Sequence, residues 1–109
     1  MKAISRAEET IMITILKLGD SAYGVSIREQ IEKDTGEKWS FASIYTPLDK
    51  LKRKGLVKKM RGESLPVRGG KSKYYYHVTP DAKKVLKRAW EKQQKLWSNV
   101  PLPGMDVKQ

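Results

Sequence analysis

Residues 50–78 read KLKRKGLVKKMRGESLPVRGGKSKYYYHV and decide the fold of this chain. Before the tyrosines this stretch carries ten Lys or Arg and a single acid, Glu63, and a glycine pair interrupts it near its end. The pattern predicts a strand over 56–63, a loop over 64–72 and a second strand over 73–78. A basic hairpin of this kind, directly after a helical pattern, is suited to straddling a phosphate backbone.

Two helices are predicted at the start of the chain. Ser5-Arg6-Ala7-Glu8 has the spacing of a capping box and predicts a first helix over 5–18. A second helix is predicted to begin at a Ser21 cap and to end at Gly36, with Gly24 placed to allow close packing against a neighbouring helix. The apolar stripe of the second helix consists of Tyr23, Ile27 and Ile31.

A third helix leads into the basic run. It is predicted to begin at a Ser40 cap and to end at Gly55. Its buried stripe consists of Ile44, Leu48 and Leu51. Pro47 removes one hydrogen bond inside a helix, so either one helix bends there or a new helix starts at Thr46-Pro47. One bent helix is the interpretation that we favour.

The last helix is predicted to begin at Thr79-Pro80-Asp81, which supplies a cap, a proline in the first turn and an acid. Its apolar positions alternate at spacings of four and three, as in a coiled-coil seam. A chain of 109 residues has little core with which to cover such a helix, so we expect two chains to pair through it. The predicted dimer interface consists of Leu86, Ala89, Trp90, Gln93, Leu96 and Trp97.

The order of three helices, a strand, a wing and a second strand is that of a winged helix-turn-helix. The predicted fold class is therefore mainly α (α+β), with a two-stranded wing and a C-terminal dimerisation helix. We expect a DNA-binding domain over 1–79, the dimerisation helix over 80–99 and a flexible tail over 100–109. In this fold the third helix enters the major groove. Projection at 100° per residue places on its outer face Ala42, Ser43, Thr46, Lys50 and Arg53.

The charge of the chain is concentrated rather than spread. The net charge is +11, yet residues 1–49 carry six basic and eight acidic side chains. A concentrated positive charge indicates an anionic partner, either nucleic acid or an anionic membrane surface. The sequence shows neither a secretion signal at its start nor an apolar run long enough to span a bilayer, so we expect a cytoplasmic protein that does not enter membranes.

Several chemistries are disfavoured by the residues present. There are no cysteines, and the one histidine, His77, has no cluster of carboxylates beside it, so a metal site is not expected. Gly70-Lys71-Ser72 lacks the earlier glycine of a phosphate-binding loop and leads into a strand instead of a helix. No serine has a base to activate it. We therefore expect neither enzymatic activity nor a cofactor.

The chain resembles the PadR family of bacterial transcriptional regulators. The resemblance rests on the order and spacing of AYGVSI at 22–27, SIYTPLDKL at 43–51, KGLV at 54–57, GGKSKYYY at 69–76 and VTP at 78–80. It implies a dimeric repressor of the smaller subfamily, with a winged helix-turn-helix and a single C-terminal helix. The DNA-binding residues that it implies are Ser43, Tyr45, Thr46 and Lys50 on the third helix, and Gly69, Gly70, Lys71 and Lys73 in the wing. The positive charge of the basic block adds Arg68 to this set.

The expected function is that of a homodimeric, sequence-specific regulator of transcription, acting as a repressor on double-stranded DNA. Two alternatives remain open. The first is a winged-helix module that binds RNA or another protein. The second, suggested by small family members, is a multidrug-type regulator that binds flat aromatic compounds at the dimer interface, between Trp90 and Trp97.

Overall fold

The computed structural model describes residues 3–62 and 73–104. Its elements, in chain order, are α1 (Arg6–Leu18), α2 (Gly24–Thr35), α3 (Phe41–Arg53), β1 (Val57–Arg61), β2 (Tyr74–Val78) and α4 (Pro80–Trp97). A short 3₁₀ turn, Gly19–Ser21, joins α1 to α2. The mainly α winged helix-turn-helix and its C-terminal helix are confirmed.

The start of α1 is the capping box that the sequence predicts. The backbone N–H of Ser5 donates to Glu8 Oε1 at 2.7 Å, and the N–H of Glu8 donates to Ser5 Oγ at 3.1 Å. The two bonds satisfy two N–H groups that the first turn of a helix leaves without partners. The helix ends at Gly19, which has a φ of +59°.

The predicted Ser21 cap of α2 is wrong. Ser21 lies in the 3₁₀ turn, and its hydroxyl donates back to the carbonyl of Leu18 at 2.7 Å. The residue that precedes α2 is Tyr23, whose backbone N–H donates to Ser26 Oγ at 2.9 Å. Because the turn at the end of α1 engages Ser21, the cap of α2 lies at Tyr23, two residues later than predicted.

This delay leaves Ala22 and Tyr23 extended, and they pair with the hairpin. The N–H of Tyr76 donates to the carbonyl of Ala22 at 2.9 Å, and Tyr23 forms a bridge with Tyr75. The ring of Tyr23 also packs edge-on against Tyr75, with 5.7 Å between ring centroids. The α1–α2 connection is therefore joined to the edge of β2, a pairing that the sequence analysis did not predict.

The hairpin is antiparallel, with Val57 opposite Val78 and Lys59 opposite Tyr76. Both strands begin one residue later than predicted, and β1 also ends two residues earlier. The inward position of Tyr76 buries its ring, and this burial, with Tyr45 and Asp49 nearby, raises the pKa of its hydroxyl to about 12. The predicted loop over 64–72 lies outside the described residues.

α3 is continuous through Pro47, so no second helix starts at Thr46-Pro47. Ser40 Oγ accepts the N–H of Ser43 at 3.1 Å and caps the helix. The chain leaves the helix at Gly55, whose φ of +73° is in the left-handed region that favours glycine. Both predicted ends of α3 are therefore confirmed.

One apolar core lies between the first three helices and the hairpin. The predicted stripes of α2 and α3 contribute Ile27, Ile31, Ile44, Leu48 and Leu51, all buried. From α1 and the remaining elements come Ile11, Met12, Ile15, Ala22, Leu56, Val57, Tyr76 and Ala82. Burial of these side chains holds α3 so that its opposite face is turned to solvent.

α4 is anchored to this core only at its start. Thr79 Oγ1 accepts the N–H of Ala82 at 3.3 Å, as the predicted cap, and donates to the carbonyl of Gly55 at 3.0 Å. Ala82 is the one fully buried residue of the helix, and Val85 and Leu86 pack partly against the core. The rest of α4 extends away from the core with much of its surface exposed.

Candidate nucleic-acid interface

The outer face of α3 matches its projection from the sequence. Ala42, Ser43, Thr46, Lys50 and Arg53 are all exposed. Small side chains occupy the first half of this face and cations the second, an order suited to base edges first and phosphates second. The structure brings these five predicted residues together on one surface.

Tyr45 lies on the flank of α3 that faces α2. The helices approach so closely there that a β-carbon at Gly24 would collide with the Tyr45 hydroxyl. This confirms that the glycine permits close packing. The Tyr45 side chain nevertheless remains 43% exposed, so it belongs both to the contact between the helices and to the surface.

Two residues beside Tyr45 were missed by the sequence analysis. Phe41, the first residue of α3, is 45% exposed, and its ring stacks on that of Tyr45 at 6.4 Å and 27°. The Arg28 guanidinium of α2 lies 4.7 Å from the centre of the Phe41 ring. Phe41 precedes Ile44 by three residues and therefore fits the apolar periodicity of the helix, which gives no indication that it is exposed.

The hairpin adds cations to the same region of the molecule. Lys58, Lys59 and Arg61 are exposed along β1. Lys59 Nζ lies 4.3 Å from the centre of the Tyr74 ring, and Lys73 Nζ lies 4.4 Å from that of Tyr23. The predicted wing residues outside the described part of the chain are Arg68, Gly69, Gly70 and Lys71.

One lysine of the basic run, Lys54, is held by hydrogen bonds to other residues of the protein. Lys54 Nζ donates to both carboxylate oxygens of Glu8, at 3.0 and 2.8 Å, and to the carbonyl of Ala3 at 2.9 Å. Burial raises the pKa of Glu8, but hydrogen bonds from Lys54 and Ser5, with the lysine charge, outweigh burial and lower it overall. This pair links the start of α1 to the end of α3.

Five of the six predicted dimer residues of α4, all except Trp97, line two grooves. One groove is formed with the N-terminal segment and contains Ala89, Gln93 and Leu96. The other is formed with α1, where Ile13 and Leu16 face Leu86 and Trp90. Trp90 is 63% exposed and Leu96 is 61% exposed, whereas Trp97 is half-buried. Large apolar side chains therefore lie uncovered on α1 and α4.

Within residues 3–62 and 73–104, no group of three or more His, Cys, Asp or Glu side chains could hold a metal ion. No helix in this part of the chain is both long and apolar enough to cross a bilayer. The chemistry available at the α3 surface is that of hydrogen bonding, apolar contact and positive charge.

Comparison with known proteins identifies the family. The sequence model of the transcriptional regulator PadR-like family matches residues 12–88. The chain belongs to the PadR-like family. The resemblance stated from the sequence is therefore confirmed, and the chain is a DNA-binding transcriptional regulator with a winged helix. Comparison with curated proteins gives no match.

Solved structures of transcriptional regulators have the same fold. A transcriptional regulator from Clostridium thermocellum, Cth-833, is 23% identical with a TM-score of 0.69, covering 92% of this chain and 100% of that one. A PadR-like transcription factor from Bacteroides fragilis is 23% identical with a TM-score of 0.67, covering 82% and 81%. A PadR family regulator from Clostridium difficile R20291 is 26% identical with a TM-score of 0.61, covering 83% and 93%.

The PadR-like match covers the elements of the predicted DNA-binding site but only part of the predicted dimerisation helix. It contains α3 and the hairpin, and it ends at Arg88, halfway along α4. Trp90, Gln93, Leu96 and Trp97 therefore lie beyond the matched segment.

Proposed function

We propose that this PadR-like regulator is a homodimeric, sequence-specific repressor without enzymatic activity, acting in the cytoplasm. The observation that carries the proposal is the outer face of α3, where small side chains are followed by Lys50 and Arg53 beside the basic strand β1. Asp49 is exposed beside this face, but the cations of α3 and of the adjoining strand outnumber it, which suits a groove lined with phosphates.

In this proposal α3 lies in the major groove. Ala42, Ser43, Tyr45 and Thr46 face the base edges, because the first half of a recognition helix lies deepest in the groove. Lys50 and Arg53 bind phosphates, and the hairpin with Lys73 binds the backbone beside them. Residues 1–79 then form the DNA-binding domain. Of the wing positions, Arg68 and Lys71 are assigned to phosphate binding by their positive charge, and Gly69 and Gly70 by the family resemblance.

The proposed dimer forms through α4, residues 80–99. The support is the set of exposed apolar side chains on this helix and on the adjoining face of α1, since a monomer would leave Trp90 and Leu96 in water. Pairing of two copies would also hold two α3 helices at a fixed separation, as a palindromic operator requires. The tail from residue 100 has no assigned part in either function.

Fluorescence anisotropy with duplex DNA tests the proposal. We expect the upstream DNA of the protein's own gene to bind more tightly than random duplex. Contact with about six phosphates gives a log–log slope of affinity against salt near −5. Lys50→Ala should reduce the steepness of the slope by about 1, whereas Lys84→Ala, on the exposed side of α4, should leave it unchanged.

Equal affinity for the upstream and random duplexes, or a slope near zero, would contradict sequence-specific binding. Tighter binding of structured or single-stranded RNA than of duplex DNA would support the alternative of an RNA-binding module. In vitro transcription tests the direction of regulation. A repressor lowers transcription from the operator-bearing promoter as protein is added, and a rise in transcription would identify an activator.

A second candidate function is the binding of a flat aromatic compound beside Trp90. It is favoured by the exposure of this indole next to the apolar side chains Ile13, Leu16 and Leu86. A planar aromatic dye should quench tryptophan fluorescence, and the quenching should be lost in Trp90→Ala. Unchanged quenching in Trp90→Ala would exclude this site, and loss in Trp97→Ala as well would place both rings at the ligand.

A further inference from the structure

The first turn of α3 exposes an apolar surface. Phe41, at the first position of the helix, leaves 45% of its surface in water, and the exposed methyl group of Ala42 follows it. The core of this domain is formed by other side chains, and Phe41 is not part of it. Exposure of a large aromatic ring is unfavourable in the free protein, so its position at the leading end of the recognition helix requires an explanation.

The exposed ring of Phe41 is held in place from two sides. On one side it stacks on Tyr45, one turn further along α3, with 6.4 Å between centroids. On the other side is the Arg28 guanidinium, 4.7 Å from the ring centre. The Nε–H of Arg28 also donates to the carbonyl of Trp39, just before the helix, which fixes the guanidinium. A ring held in this way loses little conformational entropy when it meets a ligand.

We infer that Phe41 determines operator specificity by packing against the C5-methyl group of a thymine in the major groove. The inference rests on the proposed function, in which α3 enters that groove. The first residues of a recognition helix are those that contact base edges. The methyl group of thymine is the one apolar feature that the four base pairs present there, and an apolar side chain recognises it by contact.

The chemistry around the ring favours a methyl group over other groove features. Neither Phe41 nor Ala42 has a side-chain donor or acceptor, so neither can pair with the polar edge of guanine, adenine or cytosine. Hydrogen-bonding capacity starts at Ser43 and continues at Thr46. We therefore expect each half-site of the operator to place a thymine at the position that faces the start of α3.

The test uses the operator selected by the wild-type protein from a random duplex library. Each thymine is replaced in turn by deoxyuridine, which lacks only the methyl group, and affinity is measured by fluorescence anisotropy. Burial of one methyl group corresponds to about a fourfold change in affinity. We expect a loss of this size at one thymine in each half-site.

Phe41→Ala should bind the unmodified operator more weakly and should no longer distinguish thymine from deoxyuridine at that position. Thr46→Ala, on the same helix, serves as the matched control and should retain the discrimination whatever its own affinity. Circular dichroism establishes that both variants are folded. Restoration of the discrimination by Phe41→Leu, which keeps an apolar side chain, would support the contact further.

Two results would overturn the inference and leave the proposed function intact. One is a wild-type protein that selects an operator yet tolerates deoxyuridine at every position. The other is a Phe41→Ala variant that still discriminates as the wild type does. If the wild-type protein selects no sequence from the library, it is the proposed function that fails.

Discussion

Gly24 lies where α2 meets α3, and its missing side chain is what the contact requires. The space that a β-carbon would take is filled by the hydroxyl end of Tyr45. Tyr45 is partly exposed and can move outward, so the collision displaces this ring and leaves the backbone in place. A change buried between two helices is therefore transmitted to the surface that we propose to face DNA.

We predict that Gly24→Ala lowers the free energy of unfolding by about 1 kcal/mol, the lower end of the cost of overpacking. In a Tyr45→Ala background most of this cost should disappear, because the colliding ring is gone. Urea denaturation of the four proteins of the cycle measures the coupling. Gly36→Ala is the control: its cost comes from a φ of +77° and should be the same with or without the Tyr45 ring. Additive effects of Gly24→Ala and Tyr45→Ala would contradict the prediction.

Glu8 contributes stability that depends on pH. Its pKa in the folded protein is lower than its ordinary value of 4.5, so its contribution is present above that value and is lost as the pH falls through the lower folded value. Glu8→Gln removes the charge that Lys54 neutralises. Because Lys54 is one-third exposed, we predict a loss of about 1–2 kcal/mol at neutral pH, less than for a fully buried pair.

Thermal unfolding measured from pH 7 to pH 3 checks this prediction. The difference between wild type and Glu8→Gln should shrink as the solution becomes more acid, because the wild-type carboxylate is then protonated as well. Glu9→Gln, one residue along the same helix, should follow the wild-type curve. A difference that stays constant over the whole range would show that the ion pair is not its source.

At the scale of the element, α3 contains Pro47 in its interior, where a proline destabilises a helix most. Pro47 has no N–H to donate to the carbonyl of Ser43, four residues earlier, so the helix continues with one bond fewer. We predict that Pro47→Ala raises the free energy of unfolding by about 1–2 kcal/mol, part of the full difference in helix propensity. Urea denaturation measures this gain.

Operator affinity should fall in Pro47→Ala although the protein becomes more stable, because the restored hydrogen bond to the carbonyl of Ser43 changes the turn that carries Ser43 and Thr46 on the outer face. Leu48→Ala, the neighbouring core substitution, should destabilise the protein by about 2–5 kcal/mol and confirms that the assay responds to this helix. A less stable Pro47→Ala protein would mean that the surroundings are shaped to the proline.

The elements that could be predicted from the sequence are those whose ends are set by adjacent residues. Ser5 with Glu8, and Thr79 with Pro80, determine helix starts through bonds within one turn, and each was placed correctly. The predicted start of α2 failed because Ser21 has two possible local partners. It bonds to Leu18 behind it, which leaves Ala22 and Tyr23 for a strand pairing with residues more than fifty positions away.

In the candidate site, too, the sequence predicted the features that are set locally and missed those that are set by contacts between elements. Helical periodicity predicted which side of α3 is exposed, because the buried stripe of Ile44, Leu48 and Leu51 fixes the opposite face. Phe41 could not be assigned in this way. Its spacing matches the buried stripe, and its exposure follows from where the first turn of α3 lies relative to Arg28 of α2, which is a property of the packed helices.

At the scale of the whole molecule, the exposed apolar side chains of α1 and α4 are the surface through which we propose that two copies pair. We predict that Trp90→Lys converts the proposed dimer to a monomer and lowers operator affinity at least tenfold. The added charge lies next to Lys83 and Lys87, which line the same groove, so pairing of two copies would bring like charges together. Sedimentation velocity at tens of micromolar protein measures the change.

Glu91→Gln is the matched control, since it raises the net charge by the same amount at the next residue, outside both grooves. It should remain a dimer with unchanged operator affinity. Two observations would refute the role assigned to α4, namely a wild-type protein that sediments as a monomer and a Trp90→Lys protein that still sediments as a dimer.

Thr79 links the start of α4 to the turn that ends α3. Its hydroxyl group caps α4 and also donates to the carbonyl of Gly55, the residue at which the chain turns out of α3, while its N–H donates to the carbonyl of Leu56 at 3.0 Å. The start of α4 and the turn that ends α3 are thus joined at one residue. We therefore expect a tilt of α4 either to break these hydrogen bonds or to rotate α3 with it, which would couple the proposed dimer helix to the proposed DNA-binding helix.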